Sequence, residues 1–444
     1  MASSSTANIT IDKKRVAASL YGMLVGDAVA MPAHWFYSPT KLRADYGEVA
    51  EMMAPKSTHA ESMVQGMSYS GTIDIMHDKA RFYTGNSLAT EAQKLTKEEI
   101  EARRDEHGNY IGVTEDSRVH YHATLQKGQN TVNSCIARLA MRYLAETNAP
   151  AGRDGYDPDE FLQRFVEYMK TKPDPKNDPD QLLNHNDVYM DIYVRHFFEM
   201  ASQGKPLRDC PKNQRDQWSI GSLDGVVMSI PTMAAYANEP EALLIGRAVE
   251  HHMLTHRSIT VTATVSVLAP LLLELWKGAP LKESLDRAMD KLRPPKITGR
   301  ELRDSYVGKG GPGRIPKDKK WLQHMELLPP GTTTKDLVHE LIATVEDDED
   351  VAGCGDRENS RLSTMCYCEQ AFTVVLYLAY KYGTDDPRKA LLQNVMIGGH
   401  STARGAVLGA ILGAAYGVEG LPFVDDLCAK KAIDKEVSDL IATL

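Results

Sequence analysis

Two segments of this chain carry small residues at every fourth position, and this spacing restricts the fold more than any other feature of the sequence. The small residues are Ala18, Gly22, Gly26 and Ala30 in the first segment, and Gly405, Gly409, Gly413 and Gly417 in the second. Glycine inside a helix costs about 1 kcal/mol relative to alanine, so a stripe of small residues indicates two helix backbones in close contact. We therefore predict that these helices pack against each other, antiparallel.

Helical periodicity dominates the rest of the sequence, and the alternation typical of β-strands is almost absent. We predict an all-α, compact multi-helix fold. The expected helices cover residues 15–34, 131–146, 159–170, 186–202, 226–237, 240–254, 260–277, 281–292, 335–346, 366–382, 387–396 and 402–417. Apolar helices flank each segment rich in Pro, Gly and Asp, so we expect one domain over residues 1–444, with loop insertions near 50–120, 147–184 and 294–333.

Composition narrows the class of protein. The chain has 51 basic and 60 acidic residues, a formal net charge of −9, which excludes a generally basic nucleic-acid-binding protein. The polar start lacks the pattern of a secretory signal, and the apolar stretches near 261–276 and 405–417 are interrupted or short. Six cysteines form no CxxC pair, so free thiols are expected. We predict a cytoplasmic protein without nucleic-acid or membrane partners, acting on a small molecule, with a homo-oligomer left open.

The predicted antiparallel packing places His34, at the end of the first helix, beside His400, at the start of the second. Ser401 and Thr402 are suitable caps there, and free N–H groups at a helix start favour an anion. A third segment contributes His120 and His122 and leads through Asn130 and Thr131 into the helix at 131–146. We therefore expect the candidate site where these three segments meet.

These segments resemble, in the same order, three motifs of the ADP-ribosylglycohydrolase family. Residues 22–28, followed by Pro32, resemble its opening Gly-x-x-x-Gly-Asp-Ala signature. The segment ending at Thr131 resembles its Thr-Asp-Asp-Thr helix start, and residues 398–417 resemble its closing Gly-Gly-Asp-x-Asp-Thr signature with the glycine-striped helix after it. The resemblance implies a compact all-α domain. It also implies, as the usual activity, magnesium-dependent release of ADP-ribose from modified side chains or related metabolites.

The family's magnesium-binding carboxylates are replaced in this chain. The residues at their positions are His34, Gln129, Asn130, His400 and Thr402. Magnesium is a hard cation that prefers oxygen ligands, carboxylates above all. We therefore expect no dinuclear magnesium centre, no cofactor, and no hydrolysis by the family's usual route.

Three interpretations of the altered site remain open. In the first, the chain is a hydrolase of a small nucleotide-like, amide or glycosidic substrate. His34 and His400 act as general acid and base, because the pKa of imidazole lies near neutrality, and Asp27 either orients a histidine or braces the fold. In the second, the chain is a catalytically inactive pseudoenzyme or a binding or structural relative. In the third, His34 and His400, with His120 or His122, bind a transition metal, which imidazole suits better than magnesium.

Other polar residues are assigned to the substrate. The expected substrate-binding residues are His122, Gln129, Asn130, Thr131, Ser401, Thr402 and Arg404. Arg404 lies one helical turn beyond His400 and either binds a phosphate or carboxylate or forms a salt bridge. His252 and His256 have the i, i+4 spacing of a helical metal site, although a packing role suits this apolar surrounding better.

Overall fold

Helices build the fold of this chain in the computed structural model, which describes residues 10–62, 120–147, 155–171, 174, 176–187, 189–216, 218–302, 326–353 and 360–444. The predicted insertions near 50–120 and 294–333 lie largely outside these described residues. Within them there is no β-strand, only isolated bridges such as the one between Asn213 and Arg257. The all-α prediction is confirmed.

The α-helices of the described residues, in chain order, are α1 Lys13–Ala30, α2 Pro39–Tyr46, α3 Val132–Glu146, α4 Pro158–Lys170, α5 Ile192–Ser202, α6 Asp224–Ala235, α7 Glu241–His252, α8 Ile259–Trp276, α9 Leu281–Asp290, α10 Thr334–Thr344, α11 Asp348–Val351, α12 Cys368–Leu378, α13 Pro387–Met396, α14 Ser401–Tyr416 and α15 Lys430–Ala442. Several begin at the capping residues that their sequences offer. Asp12 caps α1, Ser258 caps α8, and Thr333 forms a capping box with Asp336 at α10.

Helix α5 differs from its prediction. It begins at Ile192, whereas the periodicity predicted a helix from residue 186. The intervening loop is held by side chains: Asp187 accepts the backbone N–H of Tyr189 (3.4 Å), and the Gln181 amide oxygen accepts the N–H of Asn186 (2.7 Å). Such local side-chain to backbone bonds compete with helix formation. Helices α2, α11 and α15 were not predicted.

The contact between α1 and α14 forms the centre of the molecule. A Cβ atom at Gly22 would lie 1.9 Å from the carbonyl oxygen of Gly409, and one at Gly26 would lie 1.8 Å from that of Gly405. Farther along, a Cβ at Gly413 would lie 2.0 Å from the carbonyl oxygen of Ala18. The residue numbers of the contacting positions rise along α1 as they fall along α14, so the predicted antiparallel glycine-stripe packing is confirmed.

The remaining helices surround this pair. Helices α12 and α13 pack against α14, α15 packs against α1 and α3, and α6 bridges α3 and α7. Lys13–Ala33 and Ile259–Trp276 are long and apolar enough to cross a membrane, but both are mostly buried in the protein. Core helices of this kind satisfy the same length and composition test, so no membrane role follows from them.

Candidate functional site

The ends of the central helix pair bring two histidines together. After α1, a 3₁₀ turn, Met31–Ala33, leads to His34, and His400 is the residue that precedes α14. Their ring atoms His34 Nε2 and His400 Nδ1 are 3.1 Å apart, and each side chain is 1% exposed. The predicted proximity of these two rings is therefore confirmed.

The two rings belong to a longer series of hydrogen-bonded groups. His34 Nδ1 lies 2.6 Å from His122 Nε2, and His122 Nδ1 lies 3.0 Å from both carboxylate oxygens of Asp187. At the other end, His400 Nε2 lies 3.0 and 3.1 Å from the carboxylate oxygens of Asp224. We call Asp187, His122, His34, His400 and Asp224, in this order, the histidine chain. All five groups are buried.

Trp35 fixes the tautomer at one end of the histidine chain. Its indole N–H donates to His400 Nδ1 at 2.9 Å, so this nitrogen is an acceptor, and the ring N–H of His400 is on Nε2, facing Asp224. The indole also lies 4.4 Å from the His34 ring, centroid to centroid. The side chain of Trp35 is only partly buried, unlike those of the histidine chain.

Burial and nearby charges shift the pKa values of His122 and His34 in opposite directions. Burial alone would lower the pKa of His122, but the negative charge of Asp187, with those of Asp27 and Asp191, outweighs it and raises the pKa. The pKa of His34 is lowered well below its usual value, first by burial and then by the charges of His400 and His122. Positive charge in the histidine chain is therefore favoured at His122 and disfavoured at His34.

Two further histidines brace the segments that carry the site. His59 Nε2 donates to the carbonyl oxygen of His34 (3.1 Å), and His120 Nε2 donates to that of Pro32 (3.0 Å). Their other ring nitrogens accept backbone N–H groups of Glu61 and His122. Burial lowers the pKa of His59 to about 3, so the ring is neutral. These two rings hold the loop that positions His34.

Asp27 contacts the start of α3 rather than a histidine. Its carboxylate accepts the amide of Asn130 (2.9 Å), and the backbone N–H (2.9 Å) and hydroxyl (2.6 Å) of Thr131. Burial raises the pKa of Asp27, although these hydrogen bonds oppose the increase. The carboxylate thereby satisfies free donors at a helix start. Within the histidine chain, the carboxylates that contact imidazole rings are Asp187 and Asp224.

The other residues assigned to the substrate bind protein groups in this structure. Gln129 donates to the carbonyl oxygen of Pro179 (3.3 Å), and Ser401 donates to that of Ala30 (3.1 Å). Thr402 Oγ1 is 3.3 Å from His34 Nε2. Of the residues at the family's magnesium positions, His34, His400 and Thr402 thus meet at one point, whereas Gln129 and Asn130 bond to scaffold segments.

Arg404 is fully buried and bonded to main-chain and amide oxygens. Its guanidinium donates to Asn394 Oδ1 (3.0 Å), to the carbonyl oxygen of Thr364 (2.8 Å) and to that of Gly398. Burial lowers its pKa to about 9. In this position the guanidinium ties the turn at residues 398–400 to the neighbouring segments and so helps to orient His400.

Three carboxylates in or beside the histidine chain, Asp187, Asp191 and Asp224, were not identified from the sequence as site residues. Asn133 donates to Asp191 (2.8 Å) and to Asp224 (2.7 Å), and its amide oxygen accepts the hydroxyl of Tyr193 (2.6 Å). Burial and the nearby charge of Asp224 raise the pKa of Asp191 to about 7. Asp224 lies just before the helix predicted at 226–237, and the sequence contains no signal that would pair it with His400, 176 residues away.

Magnesium does not fit the donors at the family's metal positions. The positions of the family's carboxylates offer two imidazoles, two amides and a hydroxyl, none of which brings negative charge. Among the described residues, no group of three or more His, Cys, Asp or Glu side chains is arranged to hold a metal ion. The rings of His252 and His256 bond to protein groups instead: His252 Nδ1 donates to the carbonyl oxygen of His256 (3.0 Å), and His256 Nδ1 lies 2.8 Å from the hydroxyl of Thr255.

Comparison with known proteins identifies the relationship behind this architecture. The model of the ADP-ribosylglycohydrolase family matches residues 82–443. A solved structure titled "ADP-ribosylglycohydrolase-related protein complex" is similar over 97% of this chain and 98% of its own, with 16% sequence identity and a TM-score of 0.53. At this sequence identity, the structural similarity shows a shared fold and nothing further. No curated protein matches this chain.

Proposed function

Because the chain belongs to the ADP-ribosylglycohydrolase family, we propose that it is a divergent hydrolase whose histidines replace the dinuclear magnesium centre. The proposed substrate is a small nucleotide-like molecule, with ADP-ribosyl compounds as the first candidates, and the proposed reaction is hydrolysis of a C–N or C–O glycosidic bond. His34 and His400 act as general acid and base.

The observation that carries this proposal is the direct contact between His34 Nε2 and His400 Nδ1. Each nitrogen has a second partner: the hydroxyl of Thr402 faces His34 Nε2, and the indole N–H of Trp35 faces His400 Nδ1. When no proton lies between the two rings, the hydroxyl of Thr402 donates to the lone pair of His34 Nε2 and the indole N–H of Trp35 donates to that of His400 Nδ1. When a proton lies between them, the two rings are hydrogen-bonded to each other. A pair that is hydrogen-bonded in both states is suited to releasing and accepting one proton.

The Trp35 contact assigns the two roles. The lone pair of His400 Nδ1 accepts from Trp35 at rest; in the proposed step Trp35 gives up this contact and the lone pair removes a proton from the attacking water, so His400 is the base. His34 Nε2 carries the proton toward its neighbour and is the acid, which protonates the leaving group. The bond from the sugar carbon to the leaving group breaks as the bond to the water oxygen forms, and His400 then returns its proton to His34. The side chains end as they began, and no step passes through a metal.

We expect His34→Gln and His400→Gln each to lower kcat by about 10²–10⁴-fold, the usual contribution of a general acid or base. The measurement is release of free ADP-ribose from a panel of N- and O-linked ADP-ribosyl compounds, with and without EDTA. The control is His339→Gln, which changes a partly exposed histidine paired with Asp286. Turnover that survives both site variants, or that EDTA abolishes, contradicts the proposal; in the second case, metal analysis would identify the ion.

The burial of the two rings favours a second candidate, a binding or structural protein of the same fold. Side chains that are 1% exposed meet a substrate only after neighbouring groups move. For this candidate we expect ADP-ribose to raise the Tm of the protein, as ligands that bind the native state do, without any turnover. Turnover that depends on His34 eliminates it.

A further inference from the structure

Two carboxylates outside the family's metal positions end the histidine chain. We propose that Asp187 and Asp224 are positioning residues that keep a fourth proton in the histidine chain and place its positive charge on His122. This inference rests on the proposed function for its catalytic meaning, but the proton content of the chain is measurable without any substrate.

The number of protons follows from counting hydrogen bonds. Four contacts connect the five groups, at 3.0, 2.6, 3.1 and 3.0 Å in order from Asp187 to Asp224. Each contact needs one proton, and both terminal carboxylates are acceptors. Three neutral imidazoles supply only three N–H groups. With three protons, one of the two contacts made by His34 has no proton and its two ring nitrogens face each other as lone pairs; with four, every contact is a hydrogen bond.

The direction of these bonds is fixed at both ends. At one end, the indole of Trp35 requires a lone pair on His400 Nδ1, so the proton of that ring is on Nε2 and faces Asp224. At the other end, Asp187 receives the Nδ1 proton of His122. The fourth proton is therefore confined to the two inner contacts, on either side of His34.

The surroundings favour His122 as the charged ring. Asp187 faces it with both oxygens, and Asp187 is itself held by the backbone N–H groups of Val132 (3.2 Å) and Tyr189 (3.4 Å). Asp27 and Asp191 add negative charge around the same ring. His34 instead lies between two other imidazoles. With His122 doubly protonated, His34 is neutral and presents its Nε2 proton to His400.

This arrangement gives the proposed acid a reserve of protons. When His34 Nε2 protonates the leaving group, the Nε2 proton of His122 moves to His34 Nδ1, and His122 becomes neutral. When His400 passes the proton taken from water to His34 Nε2, the Nδ1 proton of His34 returns to His122. One proton enters from water and one leaves with the product, so the chain regains its four protons.

The test is NMR of the full-length protein labelled with ¹⁵N at histidine, at neutral pH. We expect one histidine with the ¹⁵N shifts of an imidazolium, which His122→Gln identifies by its loss, and four protected imidazole protons in the histidine chain. Asp187→Asn keeps an oxygen acceptor but removes the charge, so we expect His122 to become neutral. Asp224→Asn should leave His122 charged. The control is Asp348→Asn, a buried carboxylate bonded to Tyr377, Lys381 and Tyr382.

Three protected protons and a neutral His122 in the unsubstituted protein would overturn the inference, even if Asp187→Asn failed to fold. An imidazolium that persists in folded Asp187→Asn would also overturn it. We further expect Asp187→Asn to lower kcat by about 10²-fold, the lower end of a general-acid contribution, with little change in KM. If every histidine variant keeps its turnover, the proposed function is wrong, but the NMR result still decides the proton content of the histidine chain. The two failures are therefore distinguishable.

Discussion

Trp35 has a backbone conformation that bulky side chains rarely adopt, with φ at +67°. Such a conformation costs about 1–3 kcal/mol and persists only where the surroundings stabilise it. Here the N–H of Trp35 donates to the carbonyl oxygen of Gly399 (2.7 Å), and the N–H of Gly399 donates to that of Phe36 (2.6 Å). These reciprocal bonds connect the segments that carry His34 and His400, so the strained residue lies where the two rings are positioned.

Trp35→Phe should separate function from stability. Phenylalanine retains an aromatic ring but loses the N–H that orients His400, and one lost hydrogen bond of about 1–1.5 kcal/mol corresponds to about a tenfold lower kcat. We expect little change in Tm. The measurements are kcat on the best substrate of the ADP-ribosyl panel and thermal unfolding.

The matched control is Trp276→Phe. Trp276 is fully buried in α8 and donates its indole N–H to Ser19 in α1 (2.7 Å). Its replacement should cost about 1–3 kcal/mol of stability, from a lost hydrogen bond and lost packing, and leave kcat unchanged. If both variants lose only stability, or both lose only turnover, the role assigned to Trp35 is wrong.

At the scale of elements, the glycine stripes of α1 and α14 set the distance between their two backbones. We expect Gly409→Ala to destabilise the protein by about 2 kcal/mol or more, because the new Cβ would lie 1.9 Å from the carbonyl oxygen of Gly22 and would force the helices apart. Urea unfolding measures the change. Turnover should also fall, since the same contact positions His34 beside His400.

Gly246→Ala is the control for this substitution. Gly246 lies in α7 with nothing within 4 Å of its added Cβ, so the better helix propensity of alanine should stabilise the protein by up to about 1 kcal/mol. Equal effects of the two substitutions would show that the stripe has no special packing role.

The stripes also show which part of the fold the sequence could predict. Four-residue spacing is a local pattern, and it was sufficient to predict the pairing of α1 with α14 and the meeting of His34 with His400. The pairing of His122 with Asp187 depends instead on a loop whose backbone is held by side chains such as Gln181. Periodicity extended a helix through this loop and so concealed the carboxylate, because loop geometry depends on tertiary contacts that no local pattern records.

At the scale of the whole molecule, buried neutral histidines tie stability to pH. Burial lowers the pKa of His59, His251 and His256 to about 3 and that of His252 to about 4. In the unfolded chain these rings have a pKa near 6.5, so their contribution to stability is complete above that pH and is lost as the pH falls toward 3–4. At pH 5 each ring accounts for about 2 kcal/mol of lost stability.

Buried carboxyl groups with raised pKa values oppose this loss. Burial raises the pKa of Asp191, with the help of Asp224, and that of Glu369, each to about 7, so protonation of these groups stabilises the fold as the pH falls below 7. Burial also lowers the pKa of His34 and of His120 and raises that of Asp27, so shifted rings still outnumber shifted carboxyl groups and unfolding takes up protons below about pH 6. We therefore expect the free energy of unfolding, measured in urea, to change little near pH 7 and to fall by several kcal/mol between pH 6 and pH 4.

Single substitutions measure how much each histidine contributes to the pH dependence of the unfolding free energy. Each of His59→Gln, His252→Gln and His256→Gln should weaken the protein at pH 7, because a buried hydrogen-bonded ring is lost, yet reduce the further loss on going to pH 5 by about 2 kcal/mol. His339→Gln, which alters a ring that is 41% exposed, should leave the dependence unchanged. An unfolding free energy that stays constant from pH 7 to pH 4, or a dependence that all four variants retain in full, would mean that these rings bind protons as readily in the folded protein as in the unfolded chain.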